Sequence, residues 1–295
     1  MAGVAGMAGV AGVAGVAGIA ERVTGGIMAN SASGESVIER VVKIMDAFSK
    51  GQPWLPLKEL VRITGMSSST VHRLAMDLAS SGLLERNASG EFGVGMKMWE
   101  LASRSNPLEE FRRRGLPFLE GVHAAVREHV SLSIPDVENN SVLYLERLDR
   151  HGTVMNLAEV AGRLDIHTTS SGMAMMAHMP GWVQDRFLAG TLEKTTPATE
   201  TDPAKVRANL ALIRERGYAR LVGVLVEENT AYSVPVFGQG HAVIGAISVV
   251  VPSVDEDAGL ILPVLVAAGR GLSRTMGAER RPYGSRPWLS PTATD

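Results

Sequence analysis

Apolar residues first fall into a helical rhythm at Val37, Ile38, Val41, Val42, Met45 and Phe48, behind a Ser36 and Glu39 pair that fits a capping box. The spacing predicts a first helix with one buried face, stopped by Gly51 and Pro53. A short second helix is expected from about Leu57, with Leu60 and Val61 inward. Next comes Thr64-Gly65-Met66-Ser67-Ser68-Ser69-Thr70-Val71-His72-Arg73-Leu74. Gly65 suits the left-handed end of one helix, and the serines suit the free N–H groups that start another. In that third helix Val71, Leu74, Ala75 and Leu78 make the inward stripe, leaving Ser68, Ser69, His72 and Arg73 on the opposite face. After Gly82, the runs Leu83–Arg86 and Glu91–Val94, split by Asn87-Ala88-Ser89-Gly90, predict a hairpin. A helix from about Met96 to Ser103 follows, with Met98, Trp99 and Leu101.

A new rhythm begins at Asn106, Pro107 and Glu109, where Phe111, Leu119, Val122 and Val126 mark a buried helix face and Pro117 a kink. Beyond it the period shortens to that of strands at about 130–135, 141–148 and 153–159, the first two joined through Asn139-Asn140. Helices are expected near 171–189 and 203–216, then strands near 218–226, 231–237 and 242–251. Ser253 and Glu256 are expected to cap a closing helix that runs to about Met276. The pattern describes an α+β chain. A low-complexity extension covers 1–35, a winged helix-turn-helix 36–95 and a linker helix 96–105. An α+β domain with an antiparallel sheet covers 106–278, and a loose tail 279–295.

The 295 residues, 45% hydrophobic and 20% charged, suffice for two cores. A net charge of −2 excludes a globally basic coat, so contact with a polyanion must come from a local patch. Across 36–104 nine Lys or Arg face seven acids, an excess of two. Affinity for DNA would therefore depend on pairing of subunits and fit to the site more than on charge. The absence of cysteine removes thiol chemistry and is compatible with a cytoplasmic setting. Glycine recurs every third residue from 3 to 18, without a basic flank or strong hydropathy, so membrane insertion is not expected and Met28 offers an alternative start.

A turn and a helix with a wing behind them present the polar face to a DNA major groove, with Arg73 on guanine or a phosphate. Ser68, Ser69, Thr70 and His72 then reach phosphates or base edges, and Arg86 in the wing reaches the backbone. The plain alternatives are a helix cap for Ser67 to Thr70, a solvated charge for Arg73, and a winged helix used for protein contacts. Met173, Met175, Met176 and Met179 read as core filling or as a ligand-facing stripe. His167, His178 and His241 lack the close spacing of a zinc site, so neither metal nor cofactor is expected. Ser170 and Ser171 lack the strained elbow of a serine nucleophile, so the chain is not expected to be an enzyme.

The order of these elements, Ser67 to Leu74, Phe92-Gly93-Val94-Gly95, Ile166 to Gly172, Arg216-Gly217-Tyr218-Ala219 and Val234-Pro235-Val236 resemble the IclR family of bacterial regulators over roughly 36 to 276. The resemblance implies a winged helix-turn-helix, a linker helix used in dimerisation, and a GAF-like domain whose concave sheet binds an organic effector. It also implies a homodimer or homotetramer on a double-stranded operator, more often repressing. The effector positions it suggests are Leu164, Ser170, Ser171, Gly172, Leu221, Ala231, Tyr232, Ser233 and Ser248. The chain departs from the family where Ser68 and Met173 replace lysines, where Leu221 and Val222 replace an acidic pair, and where Ala231 replaces a cysteine. These losses make the expected pocket more apolar, suited to a hydrophobic or aromatic effector. Two rival readings are a small-molecule enzyme with an attached winged helix and a ligand-independent DNA-binding or assembly protein.

Overall fold

The computed structural model describes residues 34–149 and 157–279, which form two compact units divided between Pro107 and Leu108. The first unit holds helices α1 (Val37–Asp46), α2 (Leu57–Thr64), α3 (Ser68–Ser80) and α4 (Met96–Ser105), with strands β1 (Leu84–Arg86) and β2 (Phe92–Val94) before α4. Ser36 and Glu39 form the reciprocal capping box that starts α1. Its buried residues are Ile44 and, unexpectedly, Arg40, with Val41 and Met45 partly buried, as is Phe48 in the 3-10 turn that follows. Val37, Ile38 and Val42, expected inside, are about half or more exposed. The helix carries apolar residues over more of its circumference than one core can cover, and the part that holds Ile44 turns inward.

Gly65 ends α2 at φ 67°, a left-handed conformation that a residue with a Cβ adopts only at a cost. Ser67 caps α3, and Val71, Leu74, Ala75 and Leu78 are its four buried residues, as the spacing predicts. The hairpin β1–β2 is antiparallel, pairing Glu85 with Gly93. Leu55 adds a bridge to Phe92 through N–O distances of 2.8 and 2.9 Å, which fastens the wing to the chain ahead of α2.

The second unit is built on six antiparallel strands: β3 (His129–Asp136), β4 (Ser141–Leu148), β5 (Arg163–Asp165), β6 (Ala219–Val222), β7 (Asn229–Phe237) and β8 (Val243–Pro252). Their spatial order is β5-β4-β3-β8-β7-β6. Side chains alternate between the two faces. Val130, Leu132, Tyr232, Val234, Ile247 and Val249 face α5 (Glu109–Val126) and α9 (Ala258–Thr275), forming one core. Val142, Tyr144 and Ala246 belong to a second core with α6 (Ser170–Met176), α7 (Gly181–Leu188) and α8 (Pro203–Arg216). A register shift between Leu132 and Ser133 changes the facing of β4 partway, so Glu146 and Tyr144 serve opposite sides.

Four further expectations change, the first being that the strand expected near 218–226 ends at Val222. The helix expected over 171–189 is two helices separated at Pro180, whose ring cannot continue the first. Residues 153–156 of one expected strand lie outside the described residues, 157–159 have no regular structure, and the edge strand is β5. The cap of α9 is Asp257, which accepts from the Leu260 N–H at 3.1 Å. Ser253 opens a short 3-10 turn, and the Glu256 carboxylate goes to Arg220 at 2.6 and 2.7 Å, a two-point ion pair stronger than a cap bond.

Candidate functional site

The N-terminus of α3 is a network of hydroxyls. Ser67 Oγ accepts from the Thr70 N–H at 3.3 Å and lies 2.8 Å from Thr70 Oγ1 and 3.3 Å from Ser69 Oγ. Thr70 is half-buried within this cap, while Ser68, Ser69, His72 and Arg73 are exposed on one face. Arg73 lies 3.6 Å from Asp77, one turn on. A solvent-exposed pair of this kind contributes little and yields readily to a stronger anion. In the wing, Arg86 Nε donates to the Gly90 carbonyl at 3.0 Å, and its guanidinium lies 5.7 Å from the centre of the Phe92 ring. Arg86 is exposed and held by the hairpin's own turn.

On the α6 side of the six-stranded sheet lies a small cavity, open in part to solvent. Its floor comes from β3 (Ser131), β4 (Tyr144), β8 (Ser248, Val250) and β7 (Ala231). Leu164, Leu221 and Thr168 to Ser170 border it, and the irregular segments 157–158 and 224–226 complete its walls. Among the described residues, none that lines it carries a charge. Ser131 and Ser248 lie side by side with their hydroxyls 2.7 Å apart. The Tyr144 phenol is 3.3 Å from Ser171 Oγ. Burial pushes the Tyr144 phenol above its ordinary range against the opposing pull of Ser171 and Thr169, so it remains a neutral donor.

Of the nine residues suggested for effector contact, Leu164, Ser170, Leu221, Ala231 and Ser248 line this cavity. The other four lie elsewhere. Ser171 meets Tyr144 from behind, and Gly172 packs so closely on Ile166 that an added Cβ would fall 2.4 Å from its carbonyl oxygen. Tyr232 points to the opposite face of the sheet, into the core with α5 and α9, and its hydroxyl meets Arg220 at 3.0 Å. Ser233 donates to the Ile247 carbonyl at 2.9 Å within the sheet. Sequence reasoning missed Ser131, Tyr144, Thr168, Thr169, Asn229, Val250 and both irregular walls. Ser131 and Val250 were legible as strand residues of the correct parity; the walls carry no periodic signal.

Met173, Met175 and Met176 are core residues rather than a ligand-facing stripe, with Met179 packed against them. His167 Nε2 lies 2.8 Å from the Glu193 carbonyl, and His178 stands edge-on to Phe237 at 5.1 Å. Burial, aided by the charge of Arg214, lowers His178 to about 4. Among the described residues no group of three His, Asp or Glu could hold a metal ion, and no helix is long and apolar enough to cross a membrane.

Residues 37–88 match the family model described as the IclR helix-turn-helix domain, and 109–274 that of the bacterial transcriptional regulator IclR C-terminal domain. The chain is 29% identical over 273 residues to the HTH-type transcriptional regulator BhcR of Paracoccus denitrificans, covering 89% of this chain and 94% of the relative. It is 27% identical over 249 residues to XynR of Escherichia coli, covering 81% and 96%. Both are named as regulators and not as enzymes. Among solved structures, an IclR homolog from Microbacterium hydrocarbonoxydans complexed with 4-hydroxybenzoate superposes with a TM-score of 0.77 at 34% identity, over 82% of this chain and 99% of that one. A helix-turn-helix unit with a wing, joined in sequence to a six-stranded effector-type domain, and matches across both units place this chain in the IclR family of bacterial transcriptional regulators.

Proposed function

We propose that the chain binds operator DNA through α3 and its wing, chiefly as a repressor, and that a neutral-faced aromatic or otherwise apolar effector in the sheet cavity modulates that binding. The observation that carries the effector class is the lining. Among the described residues, nine apolar side chains surround six hydroxyls and one amide, without a charge to hold a short, strongly polar acid by ion pairing. The Microbacterium homolog's 4-hydroxybenzoate supports the aromatic part of that class: its ring suits the apolar walls, and its phenol and carboxylate can hydrogen-bond to the hydroxyls between them, with no ion pair required.

On the DNA side the proposal assigns Arg73 to guanine or phosphate, and Ser68, Ser69 and His72 to phosphates or base edges. Thr70 fixes the helix start, and Arg86 approaches the backbone from the wing. A homodimer or homotetramer doubles the reading head, with half-sites one helical turn or a multiple apart.

The test is a gel shift on the DNA upstream of the chain's own gene, with and without 4-hydroxybenzoate and a panel of related phenols and aromatic acids. Release of the shifted band by one of these compounds is the expected result. A band that no aromatic compound alters, while a short keto acid releases it, overturns the effector class; absence of any specific band overturns the DNA assignment.

A further inference from the structure

The two irregular walls of the cavity are held by different means. Around 224–226, Thr196 donates to the Gly223 carbonyl at 2.6 Å, and Thr195 and Thr199 each donate to the Val224 carbonyl at 2.8 Å. These are neutral hydroxyl bonds. The opposite wall, Leu157 and Ala158, is met by a cation. Arg147 on β4 pairs in register with Ser131 of the cavity floor, so the two side chains leave the sheet on the same face. Its Nη1 donates to the Ala158 carbonyl at 2.6 Å. Its Nη2 and Nε each reach Asp149 at 2.7 Å.

Asp149 is itself braced. His129 Nδ1, on a ring buried at the start of β3, lies 3.0 Å from Asp149 Oδ1. Although burial works against its ionisation, hydrogen bonds from Arg147 and His129 hold the Asp149 carboxyl below its usual range, so it stays charged where it orients the guanidinium. From Ala161 onward the wall is fastened to β4 by backbone, the Ala161 N–H donating to the Tyr144 carbonyl at 2.8 Å and the Tyr144 N–H to the Gly162 carbonyl at 3.1 Å. Arg147 thus acts one turn earlier, where Leu157 and Ala158 touch the cavity. It does not line the cavity itself.

We propose that Arg147 is a positioning residue for effector binding: oriented by Asp149, it fixes the Leu157 and Ala158 wall through the Ala158 carbonyl and so sets how closely the wall encloses the ligand. The proposal rests on the cavity being the effector site. It also explains the residue type, because a planar fork serves a carboxylate and a carbonyl at once, whereas an ammonium on a flexible stem does not hold both in one fixed geometry.

The experiment compares the full-length chain with Arg147→Ala, Arg147→Lys and Asp149→Asn by two readouts. Hydrogen–deuterium exchange of the peptide spanning 157–165 reports the wall without any ligand. Calorimetric titration with 4-hydroxybenzoate reports enclosure. For Arg147→Ala, loss of a charge-assisted hydrogen bond speeds exchange of that peptide and weakens binding by about tenfold each, with β3 and β8 peptides unchanged. Arg147→Lys restores part of both, and Asp149→Asn moves both by roughly threefold in the direction of Arg147→Ala. If Arg147→Ala does not fold, Asp149→Asn carries the same comparison. Wild-type exchange across 157–165 in a folded Arg147→Ala or Asp149→Asn chain overturns the proposal. Failure of the wild-type chain to bind the aromatic probe counts against the effector reading instead, and the exchange data then decide whether Arg147 holds the wall.

Discussion

Arg73 reaches solvent from α3 with an exposed Asp77 as its neighbour, so its charge is available to a denser anion at little cost. Arg73→Ala is expected to weaken operator binding by roughly 1–3 kcal/mol, on the order of ten- to a hundredfold, without altering effector affinity or assembly. A gel shift at wild-type concentration for this variant removes α3 from the reading. Gly172 is a different kind of position. It does not touch the cavity, yet a methyl group there would press on the Ile166 carbonyl at 2.4 Å and on its Cα at 2.6 Å. Gly172→Ala therefore displaces the segment leading into α6 and costs about 1–3 kcal/mol, read as a lower midpoint in denaturant. The residue stood out in the sequence for its place in a motif. Its physical role, a close approach of α6 to the preceding turn, needed the fold.

At the scale of elements, the link between β6, β7 and the start of α9 is electrostatic. Arg220 grips Glu256 at 2.6 and 2.7 Å, and the Tyr232 hydroxyl also donates to that carboxylate. The Arg220 guanidinium, opposed by burial, holds the Glu256 carboxyl below its ordinary value of 4.5. A depressed carboxyl contributes stability that is complete above the unfolded value and is lost as pH falls through the folded one. Glu256→Gln should thus cost about 1–2 kcal/mol near neutral pH, discounted because Arg220 is partly open to water, and the gap to wild type should close progressively below about pH 4. A gap that persists unchanged in acid, measured by denaturant titration at each pH, contradicts the assignment. Most of these elements were legible. The stripe Val71, Leu74, Ala75, Leu78 and the strand parity of Ser131 and Ser248 follow from period alone. Glu256 was misread as a cap because its partner, Arg220, lies 36 residues away in sequence. Val37, Ile38 and Val42 were misplaced because hydrophobicity marks what can be buried, without saying by which surface.

For the molecule as a whole, the first unit leaves apolar side chains uncovered. Ile38 and Trp99 are each 70% exposed, Met96 71%, with Val37, Val42 and Leu101 also in solvent. A soluble domain seldom leaves so many large apolar groups open unless another surface covers them. Their covering by a second copy accords with the proposed dimer. Trp99→Asp is expected to shift the chain toward monomer in sedimentation and to weaken operator binding at least tenfold, because the two half-sites are then engaged independently. An unchanged sedimentation profile would show that α4 lies outside the subunit contact.

The neighbouring hydroxyls of Ser131 and Ser248 bear on how choosy the cavity is. At 2.7 Å one hydroxyl donates to the other, so one of the two protons is used within the floor and the second is left to meet whatever enters. A guest with an acceptor above the pair takes that second proton without breaking the first bond, and one that lacks such an atom leaves the proton stranded beneath it. If the cavity is the effector site as proposed, congeners that differ by one acceptor facing the pair are then told apart, beyond the sorting that contour provides. On that reading the regulator answers to one polar atom of its guest as well as to the guest's outline.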